Sequence, residues 1–424
     1  MSLARVRQAA VLAGGYGRRM LPLTASLPKP MIPVAGAPFA ERLLGWLRGW
    51  GVERVLLLGG WHAEALVSHF GDGSRLGMEL EYSISSPTTE TALRLRRAAS
   101  MLDRQFLVLY GDNFCPVDLK QAEAAWLASH LPAQMTVYDN RDGYSRANVA
   151  CDEHGLVREY DAARNAAGLT GVDIGYLFLD RHALELAGDN NLSLSQALYP
   201  ELVRRRMLGA FLTRHRYYGP AHPRRLAETE RFFSQPRTVL LDRDGVLNRK
   251  PPRAAYVCSW SDWEWLPGAL EALHAFCAAG WRVLVASNQA GVARGALTAG
   301  DLEALHARML AEVEQAGGRI DGVYVCPHGW DEGCDCRKPS PGMLFQAQRD
   351  WTLDLSQTWY LGDDDRDAEA ASRAGCRFLR ISEALPLLAA AARLLAGEYG
   401  PAGLGSLAAA LPVRDKEPLW QNVF

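Results

Sequence analysis

The feature that most constrains the fold is an apolar run that stops on chemistry: Thr238-Val239-Leu240-Leu241 leads without a break into Asp242-Arg243-Asp244-Gly245. A short, wholly apolar run ended by a turn reads as a strand buried on both faces of a parallel sheet. Two carboxylates at its C-terminal end then lie where open α/β sheets bind their ligands. Similar runs recur at Gln8 to Ala13, Arg54 to Leu58, Phe106 to Tyr110, Arg282 to Ala286 and Thr358 to Leu361, with helix-like stretches between them. That alternation predicts an α/β chain with largely parallel sheets.

A chain of 424 residues is too long for one core. Two Rossmann-like three-layer domains are expected, over residues 1–234 and 237–390, with a tail over 391–424 that is rich in Gly, Ala and Leu. The joint is placed at Ser234-Gln235-Pro236, because proline disfavours helix in the residue before it.

Charge narrows the partners. Lys plus Arg number 46 against 48 Asp plus Glu, for a net charge of -2, which is not the basic excess of a nucleic-acid binder. The run Arg204-Arg205-Arg206 reads as a solvated helix face. Met1 to Ala13 lacks the long apolar core and small-residue site of a secretory signal, and no apolar run is long enough to span a bilayer. Five of the eight cysteines are scattered, as packed and reduced thiols are. A cytoplasmic location, with no membrane and no nucleic-acid partner, is expected.

The chemistry of the second half needs four segments in order. At the first, the Asp242 carboxylate can form an acyl-phosphate, and Asp244 can protonate the leaving oxygen and later activate water. Ser287 and Asn288 end the next strand, Lys338 follows a turn, and Leu361-Gly362-Asp363-Asp364-Asp365-Arg366-Asp367 ends a third strand. These supply donors, a cation and acidic ligands for Mg²⁺. Between them lies Cys326-Pro327-His328, followed after five residues by Cys334-Asp335-Cys336-Arg337-Lys338-Pro339. Three thiolates and one imidazole make a closed tetrahedral set for a structural Zn²⁺.

From Arg237 to about Ser382 this order resembles the haloacid dehalogenase superfamily of phosphatases. The resemblance implies Asp242 as nucleophile, Asp244 as general acid and base, and Ser287 and Lys338 as holders of phosphate. It also implies Mg²⁺ on Asp242, Asp244 and Asp363, with Asp364 as a helper and Asp367 as a helix cap. The zinc loop of Cys326, His328, Cys334 and Cys336 resembles the branch containing heptose-bisphosphate and histidinol-phosphate phosphatases. Ser287-Asn288-Gln289-Ala290-Gly291-Val292-Ala293-Arg294-Gly295 and Pro341-Gly342-Met343-Leu344 are similar to the heptose enzymes, while the short zinc-loop spacing is similar to the histidinol type. Asn288, Gln289, Arg294 and Arg337 are the expected substrate contacts, Arg337 clamping a second anionic group.

In the first half, the strand ending at Ala13 opens into Gly14-Gly15-Tyr16-Gly17-Arg18-Arg19. Glycines there let backbone N–H groups approach phosphate, and Arg19 can neutralise a leaving pyrophosphate. Lys29 sits in the proline-stiffened Leu27-Pro28-Lys29-Pro30, and Tyr110-Gly111-Asp112 ends a strand with a carboxylate. Over roughly residues 8 to 233 these segments resemble the sugar-phosphate nucleotidyltransferases. The resemblance implies attack of a sugar 1-phosphate on the α-phosphorus of an NTP. Gly14, Gly15, Gly17 and Thr91 would bind substrate, Arg19 and Lys29 would stabilise phosphates, and Asp112 would hold Mg²⁺ with Asp173 as a second ligand. The chain departs from the family pattern at Arg18, at Ala162-Ala163 in place of a Glu-Lys pair, and at Gly219 in place of a late acid. The Thr89-Glu90-Thr91-Ala92-Leu93-Arg94 loop resembles that of cytidylyltransferases.

Together the halves point to one enzyme of nucleotide-sugar synthesis. It would remove the distal phosphate of a sugar bisphosphate, D-glycero-D-manno-heptose 1,7-bisphosphate being the best match, and activate the sugar 1-phosphate with GTP or CTP. The alternatives are a phosphatase carrying a non-catalytic, regulatory nucleotidyltransferase-like domain, and a histidinol-phosphate or nucleic-acid-end phosphatase.

Overall fold

The computed structural model describes residues 6–252 and 254–399. They form two compact units that divide between Phe233 and Ser234. No helix among them is long and apolar enough to cross a membrane.

The first unit is built on a seven-stranded sheet of β1 (Gln8–Ala13), β2 (Arg54–Gly59), β3 (Glu79–Ile84), β4 (Gln105–Tyr110), β5 (Ala133–Tyr138), β6 (Val172–Asp180) and β7 (Leu208–Thr213). Their spatial order is β7-β5-β6-β4-β1-β2-β3. Only β6 runs against its neighbours, β4 and β5, and the other pairings are parallel. Successive residues of β1 feed opposite cores: Ala9, Val11 and Ala13 join one cluster with Phe39 and Leu43, and Ala10 and Leu12 join another with Leu95 and Leu198. That split is the signature of a sheet covered on both faces. The polar start of the strand is satisfied, since the Gln8 amide donates to the Met101 carbonyl at 2.8 Å and accepts from the Asp103 N–H at 2.6 Å.

The second unit holds a wholly parallel sheet of β8 (Thr238–Leu241), β9 (Arg282–Asn288), β10 (Gly322–Cys326), β11 (Trp359–Gly362) and β12 (Arg377–Arg380), in the order β10-β9-β8-β11-β12. Val239 and Leu241 face one core and Leu240 the other. Both units are therefore Rossmann-like three-layer α/β domains. In each, the strand order reverses beside the first strand, at β1/β4 and at β8/β11, and that is where a crevice opens at the strands' C-terminal ends.

The segment expected as a tail from residue 391 begins inside a helix, Leu387–Leu395, whose Leu387, Ala390, Ala391 and Leu394 are buried in the core of the second unit. The rest of that segment, 400–424, lies outside the described residues.

Candidate active sites

The β8/β11 crevice gathers most of the residues singled out in the second half. Asp242 follows β8 directly, and the turn after it is tight because Gly245 takes a positive φ of 98°. A Cβ at that position would overlap the Asp363 carboxylate. Asp363 and Asp364 follow β11, and Asp364 caps the helix Asp365–Ala374 in a reciprocal arrangement with Asp367. Asp367 also turns inward. Its Oδ2 accepts the Asp364 N–H at 3.1 Å, while its Oδ1 accepts from the Tyr360 hydroxyl at 3.1 Å and pairs with Lys338 at 2.7 Å.

Lys338 is the hub. Its ammonium lies 2.7 Å from Asp242 and donates to the Ala286 carbonyl at 3.0 Å and the Tyr360 hydroxyl at 2.9 Å. With Asp367 that makes four oxygen partners around a side chain that is 3% exposed. Asn288 fixes the backbone beneath it, donating to the Lys338 carbonyl and accepting its N–H, both at 3.0 Å. Burial works against the charge on Lys338, but Asp242 and Asp367 outweigh it and raise its pKa. Burial also raises the pKa of Asp242, with the charge of Lys338 acting in the opposite direction.

Asp242, Asp363 and Asp367 each offer an oxygen to a group whose atoms lie within 4.8 Å of one another. The Asp363 Oδ1 atom is buried without a hydrogen-bond partner among the described residues, which fits a carboxylate waiting for a cation. Its Oδ2 accepts from Lys250 at 2.8 Å. The carboxylate of Asp244, expected as the third Mg²⁺ ligand, is not in that group. It is turned toward Arg243 at 2.9 Å, Asn248 at 2.9 Å and Gln289 at 2.8 Å. Burial alone would raise its pKa, yet the Arg243 charge and these donors hold it below the ordinary value. Gln289 also donates to the Ser287 hydroxyl at 2.8 Å, so this amide ties two site residues together.

Several participants carry no motif of their own. Arg243 is fully buried between the two aspartates in sequence, its guanidinium also reaching His306 at 3.1 Å. Lys250 bridges Asp363 and Asp364, and Arg366 pairs with Asp364 at 2.9 Å. Their only signal in the sequence is a cation beside an acidic motif, a pattern that surfaces show everywhere.

The cavity over these groups measures about 910 Å³, within the range of small-molecule sites. One wall is the cysteine loop. Cys326, Cys334, Cys336 and His328 Nδ1 form a cluster with separations of 3.2 to 3.6 Å along the closest pairs. Four ligands held tetrahedrally by Zn²⁺ would sit about 3.8 Å apart for sulfur pairs, so the donor set and its spacing fit that ion. Arg337 lines the cavity and donates to the His328 carbonyl at 3.2 Å. Arg294 stands outside, stacked on Trp330 at 3.9 Å.

In the first unit, β1 opens into the glycine loop and β4 into Asp112, on adjacent strands. Lys29 is buried and paired with Asp112. Gly17 has a positive φ of 65° at the start of the turn Arg18–Met20. Arg18 and Arg19 are exposed, Arg18 lying over the Tyr16 ring at 5.1 Å. A Cβ at Gly14 would overlap the guanidinium of Arg94, a buried side chain that donates to the carbonyls of Gly59, Ser86 and Thr89 and to the Ser85 hydroxyl. Arg94, the arginine of the loop likened to that of cytidylyltransferases, thus braces the glycine loop. Thr91 is used internally, its hydroxyl accepting the Leu194 N–H at 2.9 Å.

The second carboxylate is where the first unit departs most from expectation. Gly219 packs so closely on Asp112 that a Cβ would overlap the Asp112 carbonyl oxygen, so no acid fits there without moving backbone. Asp173 is half-buried and already engaged, accepting the Gly175 N–H at 2.8 Å and the Tyr160 hydroxyl at 3.3 Å. Ala162 and Ala163 lie exposed in a turn whose Asp161 carboxylate collects the N–H groups of Ala163, Asn165 and Ala166.

Burial raises the Asp173 pKa from 3.8 to about 6. A carboxyl raised on folding contributes stability that is complete below the unfolded pKa and is lost as pH rises through the folded one. The stability of the wild type against denaturant, relative to Asp173→Asn, should therefore fall by about 1–3 kcal/mol between pH 4 and pH 8. Parallel stability curves for the two proteins would show that Asp173 carries no such burden.

Comparison with known proteins follows the same division. Residues 8–143 match the nucleotidyl transferase family and residues 335–383 the HAD-hydrolase-like family. A D-glycero-β-D-manno-heptose-1,7-bisphosphate 7-phosphatase of Pseudomonas putida is 44% identical over 139 residues, covering 33% of this chain and 78% of the relative. The crystal structure of D,D-heptose 1,7-bisphosphate phosphatase from B. bronchiseptica, complexed with magnesium and phosphate, is 37% identical. It has a TM-score of 0.36, covering 38% of this chain and 98% of that one. HddC from Yersinia pseudotuberculosis is 20% identical with a TM-score of 0.47, covering 54% of this chain and all of its own.

Proposed function

The chain belongs, through its C-terminal half, to the heptose-1,7-bisphosphate 7-phosphatase family, and on that premise we propose a bifunctional enzyme of nucleotide-sugar synthesis. The phosphatase half removes the distal phosphate of D-glycero-D-manno-heptose 1,7-bisphosphate. The nucleotidyltransferase half joins the resulting sugar 1-phosphate to an NTP, GTP or CTP, releasing pyrophosphate.

The observation that carries the first step is the convergence of Asp242, Lys338, Asp363 and Asp367 at the β8/β11 switch point. Asp242 attacks phosphorus as the bond to the sugar oxygen breaks, and Asp244 gives that oxygen its proton. Asp244 then takes a proton from water as the water attacks the acyl-phosphate, which frees phosphate and restores the Asp242 carboxylate. Ser287 and Lys338 hold the transferring group. Asp242 and Asp363 would hold Mg²⁺, which when bound would neutralise charge on the transferring group. Cys326, His328, Cys334 and Cys336 would hold Zn²⁺, which would fix the loop that carries Arg337 to the cavity. Structural zinc of this type contributes folding energy rather than chemistry.

In the first half, Lys29 and Arg19 would stabilise the phosphates and Asp112 would hold Mg²⁺, with Gly14, Gly15 and Gly17 at the approach. Two observations favour a second reading, in which this half binds nucleotide or sugar phosphate without catalysis. Asp112 is already paired with Lys29, and Gly219 leaves no room for a second acid.

Incubating the purified chain and Mg²⁺ with the heptose bisphosphate and each of the four NTPs, with mass-spectrometric readout, tests the proposal. Phosphate and a nucleotide-heptose are expected. Phosphate without a nucleotide-sugar from any NTP would leave only the phosphatase.

A further inference from the structure

We infer that Trp330 is the platform on which the sugar body of the phosphatase substrate rests, braced from outside the cavity by Arg294 and next to Arg337, the residue already expected at the non-reacting phosphate. This deepens the reading of the β8/β11 crevice as a sugar-bisphosphate site, and it rests on that reading.

The cysteine loop places Trp330 where an aromatic ring is costly to leave. The side chain lines the cavity that contains Asp242, Ser287 and Lys338, yet it is 48% exposed, and it is among the few large apolar side chains so displayed. Its position is fixed from two directions. Gly329 donates its N–H to Glu332 at 2.6 Å in the turn that carries the ring, and the cysteine cluster holds both ends of that turn. The segment after β9 is joined to the same loop, because the Gln289 N–H donates to the Cys326 carbonyl at 2.7 Å and the Ala293 N–H to the Pro327 carbonyl at 3.2 Å. That second segment delivers Arg294 onto the indole at 3.9 Å. A guanidinium at this distance occupies one face of the ring and gains a cation–π attraction. The rest of the ring remains open, against the cavity that the residue lines.

Two chemical classes stack on an indole at such a place, a pyranose ring through its C–H face and an imidazole through its π face. The cations decide between them. Among the described residues neither Arg294 nor Arg337 pairs with a carboxylate, Arg337 being held by the single bond to the His328 carbonyl. Lys250 and Arg366 also line the cavity, but their charges are spent on Asp363 and Asp364. These two guanidinium charges, Arg337 on the cavity wall and Arg294 behind the indole, suit a ligand with a second phosphate at the far end of a sugar. They oppose a ligand ending in a protonated amine.

The test compares substrates that reach this wall with one that does not. Trp330→Ala, Trp330→Phe and Arg294→Gln are assayed in the full chain on heptose 1,7-bisphosphate, on histidinol phosphate and on acetyl phosphate, which is too small to span from Asp242 to the loop. For Trp330→Ala, KM for the bisphosphate should rise about tenfold relative to KM for acetyl phosphate, with kcat little affected, and Trp330→Phe should recover most of the difference. Arg294→Gln should raise the same ratio severalfold. Equal changes on bisphosphate and acetyl phosphate would overturn the assignment, as would wild-type preference for histidinol phosphate that Trp330→Ala removes. A wild type that cleaves acetyl phosphate but not the bisphosphate overturns the substrate reading itself, and is told apart by needing no variant.

Discussion

Lys338→Met should lower phosphate release by about 10²–10³-fold or more while leaving the nucleotidyltransferase assay unaffected. The reason is electrostatic. Lys338 is buried and its ammonium stands between Asp242 and Asp367, 2.7 Å from each. Removing it leaves two buried carboxylates, with Asp363 beside them, and no ammonium standing between them. Breaking a buried ion pair by deleting one partner costs about 3–5 kcal/mol, because the remaining charge has neither water nor counter-ion. Part of that cost is avoided by protonating Asp242, whose pKa Lys338 now pulls down and burial pushes up. A protonated Asp242 is no nucleophile. The acidic limb of the pH–rate profile should therefore move to higher pH in the variant, and the thermal transition of the second unit should fall. Lys338→Arg should not restore activity. The four partners surround a point charge, whereas a guanidinium presents a flat fork. Wild-type rates in Lys338→Met would remove this lysine from the mechanism.

That cluster shows how far sequence reasoning reaches. The segments bearing Asp242, Ser287 and Asp363 were legible because each ends or follows an apolar run, and parallel strands bring their C-terminal ends to one edge of a sheet whatever the loops do, while Lys338 was legible from its place after the cysteine loop. The cysteine cluster was legible from spacing alone. What side chains do after arriving was not. Asp367 read as a helix cap, and it caps, but its other oxygen holds Lys338. Asn288 and Gln289 read as substrate contacts, yet one grips the Lys338 backbone and the other joins Asp244 to Ser287. Amide side chains have both donors and acceptors, so their partners depend on rotamers that no residue pattern encodes. Arg94 and Arg243 were hidden for a related reason. Arginine is seldom fully buried, and nothing in its neighbours along the chain announces that carbonyls or a histidine will enclose it.

The first unit is where a single substitution separates the two readings of the chain. Asp112→Asn should abolish formation of nucleotide-sugar and pyrophosphate, by about 10²–10³-fold, with phosphatase activity retained. Asp112 ends the strand beside the glycine loop, and its backbone carbonyl is pressed against Gly219, so its side chain cannot be replaced by a neighbouring acid at that position. Asp173, the other candidate, has its oxygens committed to Gly175 and Tyr160 and is driven toward the neutral form by burial. A metal site with one ready carboxylate therefore depends on it entirely. In this structure Lys29 is paired with Asp112, so a Mg²⁺ held by Asp112 would take the place of that ammonium and leave it for the phosphates. Asparagine keeps the shape but offers neither the charge for Mg²⁺ nor the pair for Lys29. If this half instead binds nucleotide without catalysis, the wild type will already release no pyrophosphate. Asp112→Asn will then alter only nucleotide affinity, by the loss of one Mg²⁺ contact. Equilibrium binding of each NTP in the presence of Mg²⁺, measured beside pyrophosphate release in both proteins, distinguishes an enzyme from a binding module in one experiment.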